Sequence, residues 1–424
     1  MNMQGKIIIV GAGAAGLMAA RELCAAGISV TVLEGAGRTG GRIHTADAPG
    51  FKQPIELGAE FIHGRLPLSF ALLKEAGIRH EPAGGQMVRM SNGQWQQQED
   101  FTIDWGLLMQ KMHALKEDTT LADFLDRYFA GEAYAGLRSS VQRFAEGFDV
   151  ADINDVSAFA LRDEWGQEEH GQYRVAGGYG QLIRFLERQC ISKGVVIHTA
   201  CIVKNIAWKE GAVRVLCADG QVFEGTRVII TVPAGVLKAG PDQPAGIGFS
   251  PAVEAHSLAA QKMGYGAVTK LLLEFKTPFW NSYANNIGFI LGEAAVPTWW
   301  TQGPESCLLT GWLGGPKAAA LKDTREVALE ELGIGSLARI FNKTVAELRQ
   351  QLVAARVTDW ANDPFSLGAY SYDTIHTAAA RRLLRQPVAN TLFWAGEALY
   401  EGPSPGTVEA ALASGKSVAG QLVF

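Results

Sequence analysis

The chain has 424 residues, a formal net charge of −5 at pH 7, and five scattered cysteines without a CxxC pair. This length suits two or three domain-sized units, and the acidic balance excludes the basic field expected of a nucleic-acid-binding protein. The cysteines indicate reduced thiols in a cytoplasm and no cysteine-based metal site. No run of about 18 apolar residues occurs, so we expect no membrane-spanning helix. The N-terminal residues MNMQGK lead straight into a predicted strand and a glycine-rich turn, so we expect the first apolar run to be part of the fold and not a signal peptide.

The first informative stretch is KIIIVGAGAAG, residues 6–16. Residues 6–10 form a short apolar run that is typical of a buried parallel strand. The next six residues, which open a helix, form a GxGxxG motif: Gly11, Ala12, Gly13, Ala14, Ala15 and Gly16. In this motif Gly11 permits a tight turn, Gly13 lets a pyrophosphate approach the backbone, and Gly16 lets the helix lie close to the sheet. The pattern predicts a nucleotide-binding unit whose helix N-terminus binds phosphate.

A second predicted strand, residues 29–33, ends at Glu34. This carboxylate is placed to accept a hydrogen bond from a ribose 2′-OH, and it would repel a 2′-phosphate. The following GAGRTGGR segment, which contains Gly35, Arg38, Gly41 and Arg42, adds two guanidinium groups beside the same pyrophosphate. NAD does not need this segment, so it indicates a flavin-type site; the alternative is a solvated basic loop.

Together, GAGAAG, the LE dipeptide and RTGGR resemble the N-terminus of the FAD-containing amine oxidase family, which includes monoamine oxidases, polyamine oxidases and lysine-specific histone demethylases. Phytoene desaturases and protoporphyrinogen oxidases share the motif through RxGGR. The resemblance implies an α/β fold, with a Rossmann-like FAD/NAD(P)-binding domain of the GR2 flavoprotein type and an α+β substrate-binding domain built from insertions. We expect residues 1–80, 175–258 and 364–424 in the first domain and residues 81–174 and 259–363 in the second.

IELGAEFIHG, residues 55–64, resembles the family segment that passes the flavin. The resemblance implies that the flavin is contacted by Gly58, Ala59, Glu60 and Phe61. It also implies that His63 lies on the substrate side, although a lone histidine is more often structural.

Residues 66–77 have an amphipathic helical pattern, and residues 87–95 predict a hairpin with an Asn92-Gly93 turn. Residues 105–147 carry helical patterns. The aspartates that follow, Asp149, Asp152 and Asp155, lack the glycine and closing glutamate of a calcium loop, so we predict no metal site.

Four strands are predicted at residues 195–197, 202–208, 212–218 and 227–232, and Val203 matches the position that meets the adenine in the family. Lys270 lies in an otherwise apolar strand, where a buried lysine is costly unless it finds partners. The alternative is an exposed lysine at a strand edge. In the family, a lysine at this position holds a water molecule that is hydrogen-bonded to flavin N5, and the resemblance therefore implies a catalytic role.

Residues 296–316 contain Trp299, Trp300 and Trp312, which fit a substrate channel or, equally, a protein core. WANDPFSLGAYSY, residues 360–372, resembles the WxxDPxxxGxY segment of polyamine oxidases and histone demethylases. The resemblance implies that Trp360 stacks near the ring system and that Tyr370 forms one wall of an aromatic cage. Ala369 stands where monoamine oxidases carry the cysteine bonded to the flavin, so we predict non-covalent FAD.

In the last segment, residues 392–420, the resemblance places Gly396 and Glu397 near the ribityl chain and pyrophosphate. Thr407 and Val408 begin the final helix, whose N-terminus would face the flavin. Thr407 replaces the second cage tyrosine of monoamine oxidases, with Tyr400 as a possible substitute.

The resemblance implies a flavin-dependent oxidase of a primary or secondary amine, either a monoamine or a polyamine, with Lys270, Tyr370 and His63 at the reacting centre. The amine becomes an imine, which hydrolyses to an aldehyde, and O2 becomes H2O2. An L-amino-acid oxidase, with Arg65 or Arg162 binding the carboxylate, remains open. So do a desaturase or dehydrogenase with another electron acceptor and a protein whose flavin does no redox chemistry. We expect no nucleic acid or membrane partner, and the oligomeric state, monomer or homodimer, is open.

Overall fold

A computed structural model of the chain describes residues 5–91, 94–97, 104–166 and 171–423. Its first motif lies in a five-stranded parallel sheet. The strand order is Val196–His198, Val30–Leu33, Ile7–Val10, Arg227–Ile230 and Leu392–Trp394. Ile7 and Ile9 pack against helices on one face, whereas Ile8 and Val10 pack against a second sheet on the other. Both faces are therefore covered, which is why these strands are apolar at every position.

The second sheet covers the parallel sheet and has four strands. Their order is Val222–Gly225, Ala212–Cys217, Val203–Lys209 and Gly248–Ser250. A larger mixed sheet has seven strands. Their order is Leu352–Asp359, Val268–Phe275, Leu308–Gly314, Thr298–Thr301, Ile287–Gly292, Gln86–Ser91 and Gln94–Gln97. The strand that carries Lys270 is buried along its whole length and pairs with neighbouring strands on both edges.

Three smaller sheets complete the strands. They are Phe61–His63, Gln172–Val175 and His80–Pro82; Thr45–Ala46 with Ile55–Glu56; and Gly264–Tyr265 with Ser371–Tyr372. The α-helices, in chain order, are Ala14–Ala25, Pro67–Ala76, Trp105–His113, Leu121–Tyr128, Ala135–Gly147, Ala158–Trp165, Gly180–Ser192, Ala234–Lys238, Glu254–Gln261, Gly315–Ala319, Glu326–Phe341, Val345–Gln351, Thr377–Leu384 and Val408–Gly420. Short 3-10 helices span Glu132–Tyr134, Phe279–Ser282 and Glu397–Leu399.

The parallel sheet with its crossover helices confirms the predicted Rossmann-like α/β fold. The two-domain division stays a prediction. It is supported because all five parallel strands lie in the ranges assigned to the FAD domain, and all seven strands of the mixed sheet lie in those assigned to the substrate domain. The predicted hairpin pairs Gln86–Ser91 with Gln94–Gln97, while its Asn92-Gly93 turn lies outside the described residues.

Within the described ranges, no helix is both long and apolar enough to span a bilayer. Over the same ranges, no three His, Cys, Asp or Glu side chains are grouped as metal ligands.

Candidate functional site

A cavity of about 1120 Å³ extends from the carboxyl ends of the parallel strands to the seven-stranded sheet. Its volume exceeds the range of about 300–1,000 Å³ that is typical of small-ligand sites, which suits a dinucleotide together with a substrate. Most of the predicted site residues line it: Gly11, Gly13, Ala14, Ala15, Glu34, Gly35, Arg38, Gly41, Arg42, Gly58, Ala59, Glu60, Phe61, His63, Val203, Lys270, Trp300, Trp360, Tyr370, Gly396, Glu397, Thr407 and Val408. Segments far apart in the sequence thus meet at one cavity.

The glycine turn after the first strand has the shape that a pyrophosphate needs. Gly11 has φ +106°, and a Cβ there would lie 2.7 Å from Thr231 Oγ1. A Cβ on Gly16 would lie 2.0 Å from the Gly11 carbonyl oxygen, so the helix can approach the turn only with glycine at this position. At Gly13 a Cβ would meet nothing within 4 Å. The backbone therefore faces open space at the helix N-terminus, which fits a dinucleotide.

Glu34 fixes this turn from the end of the neighbouring strand. Its two carboxylate oxygens accept hydrogen bonds from the Ala12 N–H at 2.6 Å and the Ala36 N–H at 2.8 Å. Burial raises the pKa of Glu34, although these two donors oppose the shift. Each carboxylate oxygen has a second lone pair, so the predicted bond to a ribose hydroxyl remains compatible with the structure.

The two arginines of the RTGGR segment act in different places. Arg38 closes its own loop by donating to the Gly41 carbonyl at 2.8 Å. Arg42 extends away from that loop and donates to the Ala369 carbonyl at 2.6 Å and to Glu397 Oε1 at 2.9 Å. The sequence placed both guanidinium groups beside the pyrophosphate. In the structure, Arg42 lines the cavity and also joins the N-terminal motif to the two C-terminal segments.

Lys270 has a side chain that is 1% exposed, so the alternative of an exposed strand-edge lysine is wrong. Its Nζ donates to Glu60 Oε2 at 2.7 Å and to the Gly58 carbonyl at 3.2 Å. The Nζ also lies 5.5 Å from the centre of the Trp300 ring, within cation–π range. These contacts supply the partners that a buried lysine requires.

Glu60 was predicted to contact the cofactor, but both of its carboxylate oxygens bond to protein groups. Besides Lys270, the donors are Arg174 Nε at 3.1 Å, Trp300 Nε1 at 2.9 Å and Gln302 Nε2 at 2.7 Å. Burial favours the neutral acid, but the positive charges of Lys270 and Arg174 outweigh it and hold the pKa of Glu60 at about 2. Glu60 is therefore a carboxylate at neutral pH.

An aromatic wall surrounds the part of the cavity beside Lys270. Tyr370 donates its hydroxyl proton to the Phe148 carbonyl, and burial raises the pKa of Tyr370 well above its usual value. The Phe148 ring meets the His63 ring edge-on at 5.6 Å. Burial lowers the pKa of His63 to about 4, so this imidazole is neutral near pH 7. Tyr370 and His63 therefore contribute uncharged polar groups to this aromatic wall.

Sequence reasoning missed Phe148, Arg174 and Gln302. Phe148 contributes its main-chain carbonyl, which no side-chain pattern marks. Arg174 lies in the short strand Gln172–Val175, and its guanidinium lies over the Phe61 ring at 4.7 Å. The sequence of that strand does not show which partner its arginine meets.

Two residues that were predicted to line the substrate pocket, Trp299 and Tyr400, lie outside the cavity wall. Trp299 is fully buried and donates to the Val296 carbonyl at 3.0 Å, in the core beneath Glu326–Phe341. Successive strand residues face opposite sides, so Trp300 lines the cavity while Trp299 faces the helix. Tyr400 is also outside the cavity wall. It folds over its own loop so closely that a Cβ on Gly402 would lie 1.9 Å from the Tyr400 hydroxyl.

Two other residues of the C-terminal segments have clear local roles. Thr407 is the N-cap of Val408–Gly420, because its hydroxyl accepts from the Ala410 N–H at 3.1 Å. Trp360 donates its indole N–H to the Leu57 carbonyl at 2.9 Å, which ties WANDP to the LGA segment. Ala12 and Gly16 lie outside the cavity wall and shape the turn from behind.

Comparisons with known proteins agree with this geometry. Lysine-specific histone demethylase 1 homolog 3 of Arabidopsis thaliana is 27% identical over 506 residues, which cover 99% of this chain and 30% of that protein. Lysine-specific histone demethylase 1 homolog 2 of Oryza sativa subsp. japonica is 26% identical, and the match covers 57% of its length. Polyamine oxidase 2 of Arabidopsis thaliana is 27% identical over 447 residues, which cover 96% of this chain and 86% of that protein. The chain thus spans less than two thirds of the two demethylase homologues.

Solved structures show the same fold. The structure of wild-type putrescine oxidase bound to putrescine has a TM-score of 0.79 at 20% identity and covers 99% of both chains. Cyclohexylamine oxidase from Brevibacterium oxydans IH-35A has a TM-score of 0.80 at 20% identity and covers 99% of this chain and 98% of its own. A family model described as flavin containing amine oxidoreductase matches residues 14–99 and 105–423. The chain therefore belongs to the flavin-containing amine oxidoreductase family.

Proposed function

We propose that this protein is an FAD-dependent amine oxidase. It converts a primary or secondary amine into an imine, which hydrolyses to an aldehyde and ammonia or a smaller amine, and O2 accepts the electrons to give H2O2. The observation that carries the proposal is one cavity that joins a dinucleotide turn to a buried lysine and an aromatic wall. The names of the relatives, which include a polyamine oxidase and a putrescine oxidase, support a monoamine or a polyamine as substrate.

Non-covalent FAD is the cofactor that these residues suit. The turn at Gly13 and the helix N-terminus after Thr407 offer backbone N–H groups to its phosphates and its ring, respectively. When bound, FAD supplies the acceptor for the two electrons that leave the amine. Ala369 lines the cavity with a methyl group, which cannot form a bond to the ring.

The wall beside Lys270 favours an amine in its neutral form. An ammonium has no lone pair with which to form the imine, and burial among aromatic rings disfavours the charged state. Tyr370 donates its hydroxyl proton to the Phe148 carbonyl, so the hydroxyl oxygen remains available as an acceptor that can orient an amine N–H. His63 is neutral near pH 7 and adds no charge to this wall.

Arg65 favours a second candidate, an L-amino-acid oxidase, because it lines the cavity and could bind a carboxylate. Arg162 does not support this candidate. It pairs with Asp163 at 2.8 Å, lies over the Phe159 ring, and is outside the cavity wall. We also propose a cytoplasmic location, supported by the thiol state of the five cysteines.

The experiment mixes the purified FAD protein anaerobically with monoamines, polyamines and amino acids, and follows bleaching of the flavin absorbance. We expect bleaching by amines, H2O2 on admission of O2, and release of all flavin by acid. Lys270→Met should slow bleaching at least about tenfold, whereas Lys276→Met, which changes an exposed lysine just beyond the same strand, should not. Bleaching by amino acids alone would establish the second candidate. Absence of bleaching by every compound would reject amine oxidation, and bleaching without H2O2 would reject O2 as the acceptor.

A further inference from the structure

Glu60 lies at the centre of a buried polar cluster whose members come from separate parts of the chain. Lys270 Nζ and Glu60 Oε2 are 2.7 Å apart, with side chains 1% and 3% exposed. The Glu60 carboxylate accepts from four side chains in all: Lys270, Arg174, Trp300 and Gln302. The Lys270 and Glu60 side chains are both buried, so their charges interact with little screening.

The number of N–H groups on Lys270 gives its charge state a geometric consequence. An ammonium has three N–H donors. Two are used by Glu60 and by the Gly58 carbonyl, so a third is left for the cavity that Lys270 lines. A neutral amine has only two N–H donors and would turn its lone pair toward the cavity instead. The two states therefore offer opposite chemistry to a bound molecule, a donor in one case and a base in the other.

We propose that Glu60 is a positioning residue that holds Lys270 as an ammonium ion, so that the lysine serves the reaction as a hydrogen-bond donor and not as a base. This proposal rests on the proposed function, which locates Lys270 beside the reacting centre. It adds that Glu60 is the residue that fixes the charge of Lys270. Arg174, Trp300 and Gln302 all donate to Glu60 Oε1. These three donors stabilise the carboxylate and oppose transfer of the lysine proton to it.

The other groups around Lys270 do not replace Glu60. On the adjacent strands its register partners are Trp312 and Thr358, which are uncharged. Glu56 is the other nearby carboxyl, but its oxygens bond to the Thr45 hydroxyl at 2.9 Å and the Tyr179 N–H at 2.6 Å. Glu56→Gln is therefore a matched control that removes a half-buried carboxyl without removing a bond to Lys270.

The test uses the FAD protein without substrate, between pH 6 and pH 10. The readouts are the visible spectrum of the flavin and its reduction potential, measured against reference dyes. In the wild-type protein we expect no ionisation that is lost when Lys270 is replaced by methionine. The same result is expected for Glu60→Asp and Glu56→Gln. Glu60→Gln keeps the shape but not the charge, so the buried lysine should lose its proton more readily. A new ionisation should then appear within this pH range and vanish in the Glu60→Gln/Lys270→Met double variant.

Two results would overturn the proposal: a Glu60→Gln protein with the wild-type pH profile, or a wild-type ionisation that Lys270→Met abolishes. If Glu60→Gln does not hold FAD, the comparison of wild type with Lys270→Met still decides the matter. Because spectrum and potential need no substrate, failure of amine oxidation itself would leave this test intact. With an amine that bleaches the flavin, Glu60→Gln should also slow reduction at least about tenfold above the new ionisation.

Discussion

Replacing Gly16 by alanine should push the first helix away from the glycine turn and weaken FAD binding. The new Cβ would lie 2.0 Å from the Gly11 carbonyl oxygen and 2.8 Å from Thr231 Oγ1. The Thr231 hydroxyl donates to the Val10 carbonyl at 2.9 Å and to the Gly11 carbonyl at 3.1 Å, so it has little freedom to turn away. Helix and turn must separate by about 1 Å, and strain of this kind costs about 1–3 kcal/mol. If the strain falls on the binding geometry, FAD affinity drops roughly 5- to 150-fold.

The assay is titration of the apoprotein with FAD, followed by quenching of flavin fluorescence, together with thermal unfolding of the apoprotein. Gly335→Ala is the matched control, because Gly335 is exposed in the middle of Glu326–Phe341 and a Cβ there would meet nothing within 4 Å. It should raise stability by about 0.5–1 kcal/mol and leave FAD affinity unchanged. Wild-type affinity and melting temperature in Gly16→Ala would refute the reasoning, since the contact leaves no room for a methyl group.

Two further predictions concern stability. The pKa of His63, lowered to about 4 by burial, means that the unfolded chain binds a proton between pH 6.5 and 4 that the folded protein does not. Stability should therefore fall by up to about 3 kcal/mol across this window. In urea unfolding, His63→Asn should reduce this loss of stability with falling pH, whereas His113→Asn, which changes an exposed histidine, should not. An unchanged pH dependence of the unfolding free energy in His63→Asn would contradict the assignment. Gly333→Ala places a Cβ 2.5 Å from Leu271 Cδ2 and should cost about 1–3 kcal/mol, the opposite sign to Gly335→Ala; equal effects of the two would count against this packing.

Residues that start helices, end helices or form turns made several elements predictable from the sequence. The helix expected at residues 66–77 is observed as Pro67–Ala76, because proline favours its first turn and Gly77 ends it with φ +66°. The strand and turn of the first motif were equally readable, since each glycine there has its own steric reason. The family motifs then identified segments that line one cavity, although they did not show the contacts among those segments.

Elements whose form depends on distant packing were harder to predict. The helix Glu326–Phe341 runs through Gly333 and Gly335. Glycine disfavours a helix interior, but Gly333 is required where the helix packs on Leu271. The partners of Glu60 were beyond local reasoning, because Arg174 and Gln302 lie 114 and 242 residues away from it. Strand alternation also separates Trp299 from Trp300 without showing which of the two faces the cavity.

The buried cluster at Glu60 bears on how an amine can bind. Glu60 is shared by two cations, Lys270 and Arg174, so these three groups together carry one net positive charge. Under the proposed function, a protonated amine placed next to Lys270 would be repelled by this positive charge. A neutral amine avoids the repulsion and can accept the remaining Lys270 N–H or donate to the Tyr370 oxygen. The ion pair that satisfies a buried lysine thus also favours, at the binding step, the protonation state that imine formation requires.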